Sequence, residues 1–139
     1  YLSAFFEAHR REYYDLLRMV SERGAWLEWI LFFLRGVENQ ARDAARRAAR
    51  LLELRRSYRE RFQKPRASAA LPGLVDLLFE CPVITVPQAA RRLGVTYAAA
   101  ARHVENLVRS GVLREAGGKG RRRNRVFIAE EVLAAVEGP

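Results

Sequence analysis

Apolar residues recur every three or four positions through the first half of the chain, which is the spacing of one face of an α-helix. In residues 3–20 this repeat predicts one helix with Ser3 as its N-cap. A turn at 21–24 follows, and the repeat then resumes at Trp26 and meets no proline until Pro65. We therefore expect a helical hairpin whose second helix, up to about 40 residues long, continues as a connector.

The second half of the chain has shorter apolar segments that are separated by proline and glycine. Pro72 and Pro87 stand where helices are expected to begin, and Gly94 and Gly111 where helices are expected to end. The predicted order is a helix from 72, a strand at 83–86, a helix at 87–94, a helix at 96–111, strands at 112–116 and 125–129 around a turn at 117–124, and a helix at 130–137. The predicted fold class is mainly α, with one small β-hairpin.

The chain is expected to contain two domains. Residues 64–73 mix Pro, Ser, Ala and Gly, which is the composition of a linker. We predict a helical region at 1–66, which includes the connector helix, and a second domain at 67–139.

The segment 25–34 is apolar on every side of the predicted helix, with Glu28 as its only charge. Two antiparallel helices cannot cover such a surface by themselves. We expect either a homodimer through the helix from Trp26 to Leu34 or a cover formed by residues upstream of Tyr1. The chain does not begin with Met, and we expect it to be a fragment of a longer protein.

Composition excludes several classes of protein and site. The chain has 139 residues, 50% of them hydrophobic, so it can bury a core. Cys81 is the only cysteine, which excludes an internal disulfide and predicts a reducing compartment, the cytoplasm. Neither histidine lies near Cys81 in the sequence, and we expect no metal, no cofactor and no enzymatic activity of these residues. The longest apolar run is shorter than the roughly 18 residues that cross a bilayer, so we expect no membrane partner.

The net charge of +9 is concentrated in two segments. Residues 42–66 carry 10 basic and 3 acidic side chains, and residues 114–125 carry 6 basic and 1 acidic. Basic stripes attract polyanions, although arginine-rich helix surfaces are also often simply solvated. We expect the first stripe to be the solvated face of the connector helix and the second to bind a polyanion.

The segment VPQAARRLGVTYAAAARHVENLVRSGVLRE, residues 86–115, resembles the winged helix-turn-helix family. It places Gly94 in a tight turn, Thr96 at the start of the next helix and Gly111 before the hairpin. In this family the helix after the turn enters the major groove of DNA, and the hairpin, called the wing, lies along the backbone or minor groove. The resemblance implies DNA contacts by Thr96, Tyr97, Ala98, Ala101 and Arg102 on the helix and by Lys119, Arg121, Arg122, Arg123 and Arg125 on the wing.

The predicted DNA contacts carry little sequence information. Residues 98–101 are all alanine, so direct readout of base edges depends on Tyr97 and Arg102. The wing cations neutralise phosphates, which are the same at every base pair. We expect binding that weakens steeply with salt and has little sequence preference. The alternative is a protein–protein interaction or dimerisation module that does not bind DNA.

The first half of the chain resembles a second family. YLSAFFEAHRREYYDLL at 1–17 and WLEWILFFLRGV at 26–37, before a long Arg/Ala-rich helix, are similar to the C-terminal helices of Fic-domain proteins, whose bacterial members often continue into a winged helix. Such proteins transfer AMP or another phosphate-containing group from a nucleotide to a protein hydroxyl. Their catalytic loop, H-x-F-x-[DE]-G-N-G-R, does not occur in this chain. The resemblance implies a non-catalytic C-terminal regulatory and DNA-binding region, whose Fic core lies upstream of Tyr1.

Overall fold

The computed structural model describes residues 2–62, 70–117 and 125–137. The elements are α1 (Leu2–Ala8), α2 (Arg10–Arg23), α3 (Trp26–Phe62), α4 (Ala70–Glu80), β1 (Val83–Thr85), α5 (Val86–Leu93), α6 (Tyr97–Arg109), β2 (Arg114–Ala116), β3 (Val126–Ile128) and α7 (Glu130–Glu137). The predicted fold class is confirmed: the chain is mainly α, with a helical hairpin, a long helix and a winged helix-turn-helix. None of the helices in the described ranges is long and apolar enough to cross a membrane.

The chain divides into two compact units, residues 1–48 and residues 49–139. The long helix α3 contributes to both, because its first 23 residues belong to the first unit and the remainder to the second. The predicted domain boundary at 66–67 and most of the predicted linker at 64–73 lie outside the described residues.

The first predicted helix is two helices, α1 and α2, separated at His9. His9 has φ −113° and ψ 33°, outside helical geometry. Its ring stacks on the ring of Phe5, with centroids 4.2 Å apart, and its Nδ1 lies 2.9 Å from the carbonyl oxygen of Phe5. A side chain that bonds the preceding turn in this way distorts the helix. The prediction of Ser3 as an N-cap was wrong, because α1 already begins at Leu2.

The helical hairpin of α1, α2 and α3 is held together by aromatic side chains from all three helices. Phe5 of α1 and Phe32 of α3 are both buried, with ring centroids 5.3 Å apart. Trp29 of α3 lies beside Tyr13 of α2, with centroids 5.5 Å apart. Gly36 permits the close approach of α1 to α3, since a Cβ atom there would lie 2.6 Å from a ring carbon of Phe5. Helix α3 continues through Gly36 without a break.

The second unit combines helices with a three-stranded antiparallel sheet of order β1-β3-β2. The hairpin of β2 and β3 agrees with the alternating pattern of the sequence, and β1 adds to its other edge with Ile84 opposite Phe127. These two side chains are buried together with Leu74, Val104 and Leu107 from α4 and α6. The sheet thus forms part of the core rather than projecting from it.

The end of α3 packs into this core. Tyr58 is 1% exposed, and its hydroxyl donates to Glu131 Oε2 of α7 at 2.6 Å. Arg55 Nε and Arg59 Nε both donate to Asp76 Oδ1 of α4, at 2.8 and 2.9 Å. The expectation of a purely solvated basic face is therefore corrected for this part of the 42–66 stripe, where arginines join α3 to α4.

The close packing at Gly36 gives a test of the hairpin. We expect Gly36→Ala to lower the free energy of unfolding by about 1–3 kcal/mol, because the added methyl group overpacks against the ring of Phe5. Urea unfolding followed by circular dichroism measures this. Asn39→Ala, at an exposed position of the same helix, is the matched control and should not destabilise. An equally stable Gly36→Ala variant would contradict the packing described for α1.

Candidate nucleic-acid interface

The helix-turn-helix is built from α5, a short turn and α6. Thr85 caps α5 in a reciprocal arrangement: its hydroxyl accepts from Gln88 N at 3.4 Å, and Gln88 Oε1 accepts from Thr85 N at 2.9 Å. Gly94 ends α5 with φ 64°, a left-handed conformation that glycine adopts without strain. The chain then reverses within the turn, and Thr96 begins α6 two residues later.

Thr96 is the N-cap of α6, as predicted from its position. Its hydroxyl oxygen accepts from Ala99 N at 3.3 Å. The inner face of α6 carries Ala100, Val104 and Leu107, which are all fully buried. Burial of this face fixes which side of the helix turns outward.

The outward side of α6 contains most of the residues predicted there. Tyr97 is 62% exposed, and Ala98 and Arg102 are also exposed. Arg102 makes no hydrogen bond or ion pair with any residue in the described part of the chain, so its guanidinium is available. Ala101 differs, because it is half-buried and packs against the core. Of the five residues on this helix predicted to contact DNA, Ala101 is the one that is half-buried.

The outward face of α6 continues beyond Arg102, the last residue of this helix that the sequence predicted to contact DNA. Glu105, Asn106 and Arg109 are exposed, and Arg109 Nη2 donates to Asn106 Oδ1 at 2.8 Å. Positions 98, 102, 105 and 109 follow the helical period. Continuing this repeat beyond Arg102 therefore identifies Glu105 and Arg109 as residues of the same face. Asn and Arg side chains are able to form two hydrogen bonds with one base edge.

Arg125 is the one predicted wing residue that falls within the described ranges; Lys119, Arg121, Arg122 and Arg123 lie outside them. Its Nε and Nη2 donate to the two carboxylate oxygens of Glu115, both at 2.6 Å. Its guanidinium also lies 5.1 Å from the centre of the Phe127 ring. Arg125 is therefore held at the base of the hairpin by a carboxylate and an aromatic ring.

The base of the wing lies within electrostatic range of α6. The pKa of Arg125 is raised, chiefly by the hydrogen bond with Glu115 and to a lesser extent by the negative charges of Glu115 and of Glu105 on α6. The pKa of Glu115 is lowered mainly by the same hydrogen bond. Arg125 is thus close enough to α6 for its charge to interact with the charge of Glu105.

His103 and Cys81 are the remaining residues of this unit that could act as metal ligands or nucleophiles. His103 is half-buried, and its Nδ1 is buried without a hydrogen-bond partner among the described residues. Cys81 is half-buried, with its Sγ 3.6 Å from Arg92 Nη2. Within residues 2–62, 70–117 and 125–137, no three His, Cys, Asp or Glu side chains are grouped so that they could hold a metal ion.

Comparison with known proteins bears on this region. Residues 71–125 match the family model of an HTH DNA binding domain. The match runs from α4 to the first residue before β3 and includes the whole helix-turn-helix. It supports DNA as a partner of this part of the chain. Among solved structures, the chain is similar to the heme sensor protein PefR from Streptococcus agalactiae in complex with heme, with 16% identity and a TM-score of 0.39 over 77% of this chain and 73% of that chain. A similarity of that size supports no argument about ligand or function.

The N-cap of α6 gives a test of how the exposed face is positioned. We expect Thr96→Ala to lower the free energy of unfolding by about 1 kcal/mol, because the amide of Ala99 loses its acceptor. Thr96→Ser keeps the hydroxyl and should retain most of the stability. Urea unfolding measures both variants. If the two destabilised the protein equally, the hydroxyl would not be the cap.

Proposed function

We propose that the second unit binds double-stranded DNA, with the N-terminal half of α6 in the major groove and the wing on the phosphate backbone. The observation that carries the proposal is the outward face of α6, which begins at a capped helix end and exposes Tyr97, Ala98 and Arg102. The HTH match over residues 71–125 supports it. In this proposal the chain acts by binding and has no catalytic role.

The chemistry of that face favours contact with phosphate and limited reading of bases. Apart from the amide of Ala99, which the Thr96 hydroxyl caps, the first-turn amides of α6 lack an acceptor in the helical hydrogen-bond pattern, and such amides bind phosphate oxygens. Ala98 adds little bulk, which lets the helix backbone approach the groove closely, and a methyl group is able to contact thymine. Arg102 is the donor in this half of the helix that suits guanine. We therefore propose that Thr96 and the first amides of α6 meet a phosphate, with Tyr97, Ala98, Ala101 and Arg102 against the base edges.

The wing supplies the charge in this proposal. Lys119, Arg121, Arg122, Arg123 and Arg125 each neutralise a phosphate. Arg125 already shares its guanidinium with Glu115, so a phosphate competes with that carboxylate for the same donors. We expect Arg125 to contribute less to affinity than a free arginine.

Salt dependence of DNA binding tests this proposal. We expect a fluorescently labelled duplex to be bound at about 50 mM salt and released by about 200 mM, because each phosphate contact releases counterions from the DNA and added salt opposes that release. The triple variant Arg121→Ala/Arg122→Ala/Arg123→Ala should reduce the slope of log affinity against log salt by about 2–3. Fluorescence anisotropy measures both quantities.

A matched control separates the wing from overall charge. Arg10→Ala/Arg11→Ala/Arg18→Ala removes the same charge from α2 in the first unit and should leave the slope unchanged. If the duplex is not bound at low salt, the second unit is an interaction module without DNA binding. If both triple variants reduce the slope equally, the wing has no specific role.

A homodimer through α3 is supported by a separate observation. Along α3, apolar residues follow alternating steps of three and four: Leu27, Ile30, Leu34, Val37, Ala41, Ala44 and Ala48, which we call the α3 seam. All seven are exposed, and none is charged. Phe32 and Gly36, on another side of the same helix, are buried against α1. The hairpin therefore covers one side of α3 and leaves the seam open.

The spacing of the seam favours a second copy of this chain as its cover. A period of 3.5 residues sustained over three heptads is typical of helices that pair along their length. A seam on one chain pairs with the identical seam of another in an isologous contact. The alanines at its C-terminal end allow the two helix backbones to approach closely. We propose that two chains pair through the α3 seam, so that each dimer carries two helix-turn-helix motifs.

Two equally exposed leucines allow a matched test of the dimer. Leu27 is 67% exposed and lies on the seam, whereas Leu52 is 66% exposed and lies beyond it. We expect the unmodified chain to sediment at about twice 15.9 kDa, Leu27→Asp to sediment as a monomer, and Leu52→Asp to remain dimeric. Analytical ultracentrifugation measures the masses. A monomeric unmodified chain would contradict the dimer and leave upstream residues as the cover of the seam.

The assignment to a Fic-like parent is part of the proposal and rests on the sequence of residues 1–17 and 26–37. In it, α1, α2 and the start of α3 border a Fic core that transfers AMP, and the helix-turn-helix provides DNA binding in the same protein. The sequence encoded upstream of Tyr1 tests this assignment. An H-x-F-x-[DE]-G-N-G-R loop there would support it, and a different domain there would remove it.

A further inference from the structure

A cavity of about 410 Å³ lies in the second unit, between the end of α4, strand β1 and helix α5. Its size falls within the range of sites that hold small molecules. Its lining residues lie on α4, β1 and α5 and, in the case of Cys81, between α4 and β1. One wall is α5, the first helix of the helix-turn-helix. None of its lining residues belongs to the outward face of α6 or to the wing.

The inner surface of the cavity is apolar. Leu77 and Ile84 are buried side chains of the core, and they form part of its lining. Val83 also lines it and remains 48% exposed. A ligand that covers Val83 removes apolar surface from water and gains binding free energy in proportion to the area covered. The cavity thus favours a ligand with an aromatic or similarly apolar body.

Two adjacent arginines of α5, Arg91 and Arg92, give the cavity its charge. Arg91 has no hydrogen bond or ion pair with any residue in the described ranges. Arg92 makes only long contacts, 3.6 Å to Cys81 Sγ and 3.9 Å to Glu80 Oε2. By contrast, Arg125 lies 2.6 Å from its carboxylate partner. Two guanidinium groups without a close anion, beside an apolar surface, suit a carboxylate, which arginine binds with paired hydrogen bonds.

Gln88 adds a hydrogen-bond donor to the cavity. Its side-chain oxygen is already used by the cap of α5, where it accepts from Thr85 N. The group left to meet a ligand is its NH₂, which donates. Gln88, Arg91 and Arg92 therefore all offer donors, and the ligand must supply acceptors. An inorganic phosphate would satisfy these donors but leave the apolar lining in water.

We propose that this cavity binds a small aromatic carboxylate, with its ring on Val83, Leu77 and Ile84 and its carboxylate between Arg91 and Arg92. The site is distinct from the proposed DNA contacts. Because α5 packs on α6, occupation of the cavity changes the affinity of the helix-turn-helix for DNA. That second step rests on the proposed function, whereas binding of the ligand itself does not.

Titration with 2-naphthoate, followed by two-dimensional NMR of the ¹⁵N-labelled chain, tests the site without DNA. We expect shifts at the amides of Val83, Ile84 and Gln88. The neutral analogue 2-naphthamide should bind about tenfold more weakly, because it lacks the charge that the arginines bind. Arg91→Gln/Arg92→Gln should weaken 2-naphthoate by at least about tenfold. Arg50→Gln, an exposed arginine of α3 outside the cavity, is the control and should not.

The single cysteine provides an independent readout. Cys81 lines the cavity, so bound 2-naphthoate should slow its alkylation by iodoacetamide, as measured by intact mass. Equal binding of 2-naphthoate and 2-naphthamide, or alkylation at an unchanged rate with saturating 2-naphthoate, would overturn the proposal. Absence of shifts in a folded chain would do the same.

DNA-binding measurements with and without 2-naphthoate distinguish the cavity site from the proposed DNA-binding function. We expect 2-naphthoate to change the affinity for a labelled duplex, and DNA to change the affinity for 2-naphthoate by the same factor. If 2-naphthoate binds and the duplex does not, the site stands and the proposed function fails. If Arg91→Gln/Arg92→Gln weakens the duplex while 2-naphthoate causes no shifts, the arginines bind DNA phosphates and the cavity site is wrong.

Discussion

Tyr58 is the side chain on which the second unit most depends. It lies at the end of α3, 1% exposed among residues of α4, α6 and α7, and its hydroxyl donates to Glu131 of α7. A buried phenol needs such a partner, since an unpaired hydroxyl in a core costs free energy. Burial, together with the hydrogen bond to Glu131, raises the pKa of Tyr58, so the group stays neutral and donates.

The contacts around Tyr58 join the end of α3 to several elements of the winged helix. Arg55 and Arg59 share Asp76 of α4, and Arg61 Nη2 donates to the carbonyl of Ser110, the C-cap of α6, at 2.9 Å. The pKa of Asp76 is lowered chiefly by its hydrogen bond with Arg59, so this carboxylate remains charged and paired at neutral pH. A helix that looks like a connector in the sequence is therefore part of the folded unit it leads into.

The outward face of α6 follows from burial of the inner one. Ala100, Val104 and Leu107 leave one orientation for the helix, and Thr96 and Gly94 determine where it begins and how the chain reaches it. Helix α5 packs against α4 and β1, and the arginines of its last turn lie at the cavity with Val83. The proposed DNA-binding face and the proposed ligand site are thus formed on neighbouring helices of one small motif.

Local interactions account for what the sequence alone determined. The ends of α5 and α6 depend on Thr85, Gly94 and Thr96, whose preferences act over three or four residues, and the helix-turn-helix and the length of α3 were predicted from such signals. The tertiary structure alone decided the addition of β1 to β3 and the burial of Tyr58. These features depend on residues far apart in the chain: Tyr58 and Glu131 are 73 positions apart, and Ile84 and Phe127 meet only when the sheet forms. A periodic pattern shows that a side chain needs a buried environment, but the partner that supplies it is chosen by packing.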